Sequence, residues 1–238
     1  MSDCLADIDV VILAGGLGTR LRSVLADKPK VLAPIGKRTF LDVILDRLAA
    51  FGARRVILSL GHLSGEVTAH LAAHPRTGMT ILPLVEPAPL GTAGAIRFVL
   101  PHLKSATAMV LNGDSLVDAD LCAFGAAHRA QHAEGTLLCA RVGDAARYGT
   151  VDIDASGRIT AFREKTGLAA PGVINAGLYL MNAPLLDRIG RGTGPSLERD
   201  VFQILPAGTL AAHVGDFAFL DIGVPDDLAR AEAFVATL

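Results

Sequence analysis

The segment VVILAGGLGTRLRSVLADKPKVLAP, Val10 to Pro34, holds the residues best suited to chemistry on phosphate. Gly15, Gly16 and Gly18 follow an apolar run directly, and Arg20, Arg22, Lys28 and Lys30 come soon after. Glycine lets backbone approach a ligand closely and adopt positive φ. Successive free N–H groups in such a turn make a nest for phosphate oxygens. The Arg20 guanidinium and the Lys30 ammonium would add charge-assisted hydrogen bonds. A tight turn without a ligand explains a Gly-Gly pair but not the Gly18-Thr19-Arg20 and Lys30 that follow. Neither common phosphate fingerprint fits: G-x-G-x-x-G fails at Leu21, and G-x-x-x-x-G-K-[ST] does not occur. The charge and flexible backbone therefore point to a nucleoside triphosphate.

Asp114 and Asp221 each close an apolar stretch. A nucleoside triphosphate gathers negative charge at a site of this kind. Mg²⁺, for which Mn²⁺ could substitute, is typically held there by one or two carboxylates plus substrate phosphates. Turn-forming or capping aspartates are the plainer reading of NGDS and DIG, and both readings stay open on spacing alone. Asp118 and Asp120 read as helix caps, and Asp226 and Asp227 as first-turn acids that favour the helix dipole. His70 and His74, and His128 and His132, stand four residues apart but lack a third ligand nearby, so they read as solvated helix faces. There is no G-x-S-x-G elbow and no convincing Cys-His pair, so a covalent intermediate is not suggested.

The elements that must position these residues follow from periodicity. Residues 8–14 are apolar apart from Asp9, which suits a strand buried on both faces of a parallel sheet. Phe40, Ile44, Leu48 and Phe51 recur at helical spacing, with Gly52 as a stop. Strand-like RRVILSLG, MTILPLVE and TAMVLNGD alternate with helical stretches over 63–73 and 91–100. The rear half carries GTLLCARV, YGTVDID, GRITAFRE and GVINAGLYLM, then helical stretches over 183–189, 196–205 and 225–237. The expected fold is a Rossmann-like three-layer α/β/α domain over residues 1–238. Its central sheet is mixed and mostly parallel, with a nucleotide-binding front half and a more antiparallel rear half, for which sugar binding is implied only by the family resemblance described below.

The bulk properties narrow the class. The 238 residues carry a net charge of −2, so no global field favours nucleic acid. No apolar run approaches the ~20 residues of a membrane helix, and MSDCLADID lacks the layout of a signal peptide. Cys4, Cys122 and Cys139 form no C-x-x-C pair and read as ordinary thiols of a reducing, cytoplasmic compartment. Self-association is left open.

LAGGLGTRLRSVLADKPKVLAP resembles the signature of the sugar-1-phosphate nucleotidylyltransferases: a strand, G-G-x-G-T-R-L, then about ten residues and P-K. EPAPLGTAGAI is similar to that family's nucleobase loop, VLNGD to its metal-binding strand end, FREK and INAGLYLM to its sugar-binding segments, and FLDIGVPDDL to its second metal-binding segment. The matches run in order from Val10 to Leu228. The chain departs at Val31, Thr166 and Val224, where the family often has proline, proline and threonine.

The resemblance implies a fold, a reaction and roles. Arg20 and Lys30 would be catalytic. Ala14, Gly15, Gly16, Gly18, Thr19, Leu90, Gly91 and Thr92 would bind the nucleotide. Asn112, Gly149, Glu164, Lys165 and Asn175 would bind the sugar, and Asp114 and Asp221 the metal. The partners would be a nucleoside triphosphate and a sugar 1-phosphate, with no nucleic acid and no membrane. Within the family the chain looks most like guanylyltransferases acting on a manno-heptose 1-phosphate. A uridylyl- or thymidylyltransferase of hexose 1-phosphates is the alternative. A catalytically silent regulatory subunit would be expected to have lost Arg20, Lys30, Asp114 or Asp221, and all four are present.

Overall fold

The computed structural model of the chain describes residues 3–16, 18–25, 28–163, 167 and 169–238, leaving aside the side chains of Arg22 and Ser23. The strands are β1 (Asp9–Ala14), β2 (Pro34–Ile35), β3 (Arg38–Thr39), β4 (Arg55–Leu60), β5 (Thr80–Val85), β6 (Thr107–Asn112), β7 (Ser115–Val117), β8 (Gly135–Val142), β9 (Thr150–Ile153), β10 (Ile159–Arg163), β11 (Gly172–Asn182), β12 (Leu210–Gly215) and β13 (Phe219–Asp221). The helices are α1 (Arg22–Leu25), α2 (Phe40–Ala50), α3 (Ser64–Ala73), α4 (Gly91–Val99), α5 (Leu121–Gln131), α6 (Ala183–Arg191), α7 (Leu197–Asp200) and α8 (Pro225–Val235).

One sheet runs β10-β9-β11-β6-β1-β4-β5, with β8 pairing β11 and β12. The pairs of β1 with β4 and β6, and of β4 with β5, are parallel. β11 is antiparallel to β6, β8 and β9. The expected change from a parallel front to an antiparallel rear is therefore present, and the mixed, helix-flanked sheet is the fold expected.

Side-chain alternation shows why the front strands are apolar throughout. Val10 and Ile12 enter one core cluster and Val11 the other, and Val56 and Leu58 oppose Ile57 in the same way. Successive side chains on a strand point to opposite faces, so a sheet covered on both sides demands continuous apolar runs. Helix α2 covers one face, burying Phe40, Leu41, Ile44, Leu45 and Leu48. Its start is fixed by a reciprocal cap: the Asp42 amide donates to Thr39 Oγ1, and the Asp42 carboxylate accepts from the Thr39 amide. Caps of this kind are worth about 1 kcal/mol.

Several expectations need correction. The helical stretch over 196–205 is broken at Val201, whose φ of −123° separates α7 from a single 3₁₀ turn over Phe202–Ile204. Cys4 and Cys122 are joined in a disulfide with Cα atoms 5.5 Å apart, so they are not ordinary thiols. Only Cys139 is free among the described residues, and burial pushes its thiol up to about 12. His128 is not on a solvated face. It is 4% exposed, with Thr136 Oγ1 2.8 Å from Nδ1 and Asn182 Oδ1 3.0 Å from Nε2. No described helix is long and apolar enough to cross a membrane.

Candidate active site

The carboxyl ends of β1, β4, β5 and β6 meet at one rim, where ligands bind in open α/β sheets. A cavity of about 330 Å³ opens there. Of the residues expected to act, Ala14, Gly15, Gly16, Lys30, Leu90, Gly91, Thr92, Asn112 and Asp114 line it.

The glycine turn leaves β1 and packs on the end of β4, where a side chain at Gly61 would meet the Gly15 carbonyl at 2.4 Å. A Cβ at Gly15 would lie 2.4 Å from Glu86 Oε1, so a side chain there would force the Glu86 carboxylate to shift. Gly18 has φ +57°, the region glycine favours. Thr19 and Arg20 form a short 3₁₀ turn with Leu21; both are exposed, and Arg20 makes no ion pair among the described residues. The base-loop residues have structural partners of their own. Thr92 Oγ1 accepts from the Leu197 amide at 2.8 Å, and the Ala93 amide donates to the Pro195 carbonyl at 2.9 Å, so α7 and the turn before it hold the start of α4.

The two aspartates come together because β13 pairs antiparallel with β7, setting Asp221 opposite Ser115, and because the Ile222 amide donates to the Asp114 carbonyl at 3.0 Å. Lys30 lies between them, its Nζ 2.6 Å from Asp114 Oδ2 and 3.7 Å from Asp221 Oδ1. Asp221 Oδ1 is buried without a hydrogen-bond partner among the described residues. Burial first, then the Asp114 charge, raises the Asp221 carboxyl above its usual range, and Lys30 opposes the shift. Two converging carboxylate oxygens, one of them orphaned, suit a hard divalent cation.

The sugar-side expectations divide. Asn112 packs against Gly177, whose added Cβ would lie 2.6 Å from Asn112 Nδ2. Gly177 belongs to an irregularity in β11 between Asn175 and Tyr179. Asn175 closes it, its Oδ1 accepting from the Gly177 amide at 3.0 Å and its Nδ2 donating to Tyr179 Oη at 2.9 Å. Burial, reinforced by nearby Glu198, holds the Tyr179 phenol protonated well above its ordinary range. Gly149 is not on the cavity wall; a Cβ there would meet the Arg163 carbonyl at 3.1 Å. Glu164 and Lys165 lie outside the described residues.

Sequence reading passed over two features. Glu86, which follows β5 at once, is 8% exposed and lines the cavity. The signal available was a carboxylate at the end of an apolar run, hidden by the prolines after it. Asp227 stands in the first turn of α8 as expected, but it is also 1% exposed and binds Arg147 at 2.5 Å and Arg230 as well. This ties α8 to the loop that carries Gly149. Asp120 does cap α5, accepting from the Cys122 and Ala123 amides, whereas Asp118 instead faces Arg47 at 3.8 Å.

The Nucleotidyl transferase family model matches residues 9–237. A mannose-1-phosphate guanylyltransferase of Mycobacterium tuberculosis is 38% identical over 229 residues, covering 95% of this chain. The chain spans only 64% of that relative's length. A D-glycero-alpha-D-manno-heptose 1-phosphate guanylyltransferase of Campylobacter jejuni is 34% identical over 220 residues, covering 92% of this chain and 96% of the relative. The crystal structure of HddC from Yersinia pseudotuberculosis complexed with GMP-PN superposes with a TM-score of 0.84 at 31% identity, covering 95% of this chain and 99% of that one.

Proposed function

The chain belongs to the nucleotidyl transferase family, and from that premise we propose that it transfers a guanylyl group from GTP to a manno-heptose 1-phosphate, releasing pyrophosphate. Relatives named for GTP and for a manno-configured sugar, one of them of nearly equal length, support this choice of pair. The observation that carries the chemistry is the Lys30 ammonium between Asp114 and Asp221, beside the glycine turn.

A phosphate oxygen of the sugar 1-phosphate attacks the α-phosphorus, and the bond to the β-phosphate oxygen breaks as pyrophosphate leaves. No protein nucleophile is needed, so the chain's task is positioning and charge stabilisation. Gly15, Gly16, Gly18 and Thr19 offer backbone N–H groups to the phosphates. Arg20 stabilises the triphosphate as charge develops. Lys30 bridges the nucleotide and sugar phosphates once they draw it away from Asp114. Asp114 and Asp221 would hold Mg²⁺, which when bound supplies Lewis acidity at the α-phosphate. Asn112, Asn175 and Gly149 shape the sugar side, with Glu164 and Lys165 assigned there by resemblance. Both substrates are intracellular metabolites in kind, which favours a cytoplasmic setting.

The test compares kcat/KM for GTP, ATP, CTP, UTP and dTTP, each with manno-heptose, mannose and glucose 1-phosphates. GTP with the heptose phosphate should win. Tenfold preference for UTP or dTTP with glucose 1-phosphate would overturn the assignment of base and sugar.

A further inference from the structure

We propose that the Cys4–Cys122 disulfide is a thiol–disulfide exchange site that governs how firmly the carboxylate side of the cavity is held together. Thiols of the glutathione class open it. The inference rests on Asp114 and Asp221 holding the divalent cation of the proposed reaction, and it adds a control on that pair.

The bond lies at a junction. It joins the segment before β1 to the first turn of α5, across 118 residues of sequence. Cys122 stands five residues past Val117, the last residue of β7. The stretch between is stitched to its surroundings at successive residues. The Asp118 amide donates to the Ala218 carbonyl at 2.8 Å, immediately before β13. The Ala119 carbonyl accepts from the Arg47 guanidinium of α2 at 2.6 Å. Asp120 accepts from the Cys122 amide at 2.8 Å. On the Cys4 side, the Leu5 amide donates to the Phe51 carbonyl at 3.1 Å, and Arg47 lies 5.6 Å from the centre of the Phe51 ring. The disulfide therefore closes a ring through Phe51, Arg47 and Ala119.

That ring borders the weakest-built part of the site. β7 and β13 form a two-stranded sheet of their own, with three residues in each strand. A ribbon of two strands is marginal by itself. Its register sets Asp221 opposite Ser115 and so beside Asp114. A covalent tether close to one end restrains local opening of the ribbon.

Three observations favour exchange over a permanent staple. Both cysteines are partly exposed, so an external thiolate can reach a sulfur. Leu5 is 1% exposed within the core, so it keeps the segment docked when the bond is open and leaves the two thiols close enough to join again. The Cys4 sulfur lies 3.7 Å from the Phe51 carbonyl oxygen, an acceptor for the reduced thiol. Disulfides in a reducing compartment are usually transient or redox-sensing.

The exchange balances. A glutathione thiolate attacks one sulfur, the S–S bond breaks, and the other cysteine leaves as a thiolate and takes a proton. A second glutathione thiolate attacks the glutathione sulfur of the mixed disulfide and releases the remaining cysteine, which is also protonated. Two electrons and two protons pass to the chain, and two glutathiones become one oxidised glutathione. Linkage adds a reciprocal effect: a cation that binds the closed form better favours closure by the same factor.

The experiment equilibrates the full native chain in mixtures of reduced and oxidised glutathione. Open thiols are trapped by alkylation and located by mass spectrometry. Cys4 and Cys122 should be labelled together in the folded chain, and should close again when oxidised glutathione is restored. A bond that opens only in urea would be a permanent staple and would overturn the proposal. Hydrogen exchange of the metal-free chain reads the coupling. Opening should speed exchange in peptides covering 115–118 and 219–222 by about tenfold, with β1 and β4 unchanged. Cys4→Ser should match the opened wild type and ignore glutathione. Unchanged exchange at β7 and β13, or an equal rise throughout the sheet, would overturn the proposal without any variant. Saturating Mn²⁺ should raise the ratio of closed to open chain about fivefold at fixed glutathione. A ratio that Mn²⁺ leaves unmoved would overturn the link to the carboxylates. None of these readouts needs turnover. A chain inactive with every pair of substrates would contradict the proposed function and leave the exchange result standing.

Discussion

Two sides of the cavity are built in opposite ways. Residues 14–30 come from one continuous run and offer mainly backbone, with Arg20 and Lys30 at its far end. The carboxylate side is assembled from β6, β7, β11 and β13, and its key oxygens are charged, partly buried and close to one another. A backbone nest carries little electrostatic cost when empty. A pair of desolvated carboxylates is costly without its ligand, which is why Asp221 holds its proton more tightly than usual. On the proposed reading the turn is a preformed cradle, whereas the carboxylate pair would be relieved only by a bound cation.

The largest effect should fall on the costly side. Asp114→Asn keeps shape and loses charge, and turnover should drop about a thousandfold in Mg²⁺, the upper range for one electrostatic contact. Pyrophosphate release measures it; turnover within tenfold of wild type would break the comparison. On the cradle side, Arg20→Ala should cost about a hundredfold, the lower range, because this exposed guanidinium acts partly in solvent. Its melting temperature should stay at the wild-type value.

Neighbouring glycines sharpen the contrast further. Gly15→Ala would drive a Cβ into Glu86 and should lower stability by about 1–3 kcal/mol. Nothing lies within 4 Å of a Cβ at Gly16, so Gly16→Ala should melt like wild type. Any loss it shows should appear in KM for the nucleotide. Equal melting of the two variants would refute the packing of the turn on Glu86.

The smallest effect concerns pH. Asp221 has a raised folded-state pKa, so the folded chain binds its proton more tightly than the unfolded chain does. Its favourable contribution is complete below the unfolded value of about 3.8 and is lost as pH rises through the folded value. Above that, the charge costs stability. Metal-free Asp221→Asn should therefore be slightly more stable than wild type at neutral pH, and the gain should vanish toward pH 3. Chemical denaturation at both pH values reads this out. A less stable variant at neutral pH would contradict the account.

What was legible in the sequence follows the same division. The turn after β1 could be read because its residues are contiguous and its strand is apolar on both faces. α2 declared itself through its period and the Gly52 stop, whereas its Thr39–Asp42 cap emerged only in the structure. The carboxylate side was legible only as isolated aspartates, because β7 and β13 are three residues each, too short for a period to show. Their pairing is a tertiary event. For the same reason, Cys4 with Cys122 and His128 with Asn182 could not be paired by spacing. Glu86 lay inside a segment already suspected, and only its burial against Ser59 and Gly15 singled it out.

The central claim is that nucleotidyl transfer occurs where the cradle and the carboxylates meet. It is tested most directly by incubating the wild-type chain with GTP, manno-heptose 1-phosphate and Mg²⁺ and quantifying GDP-heptose and pyrophosphate by mass spectrometry, with a parallel reaction in excess EDTA. The account predicts equal amounts of the two products with Mg²⁺ and none with EDTA. Undiminished GDP-heptose in EDTA, or no nucleotide sugar with Mg²⁺, would contradict it.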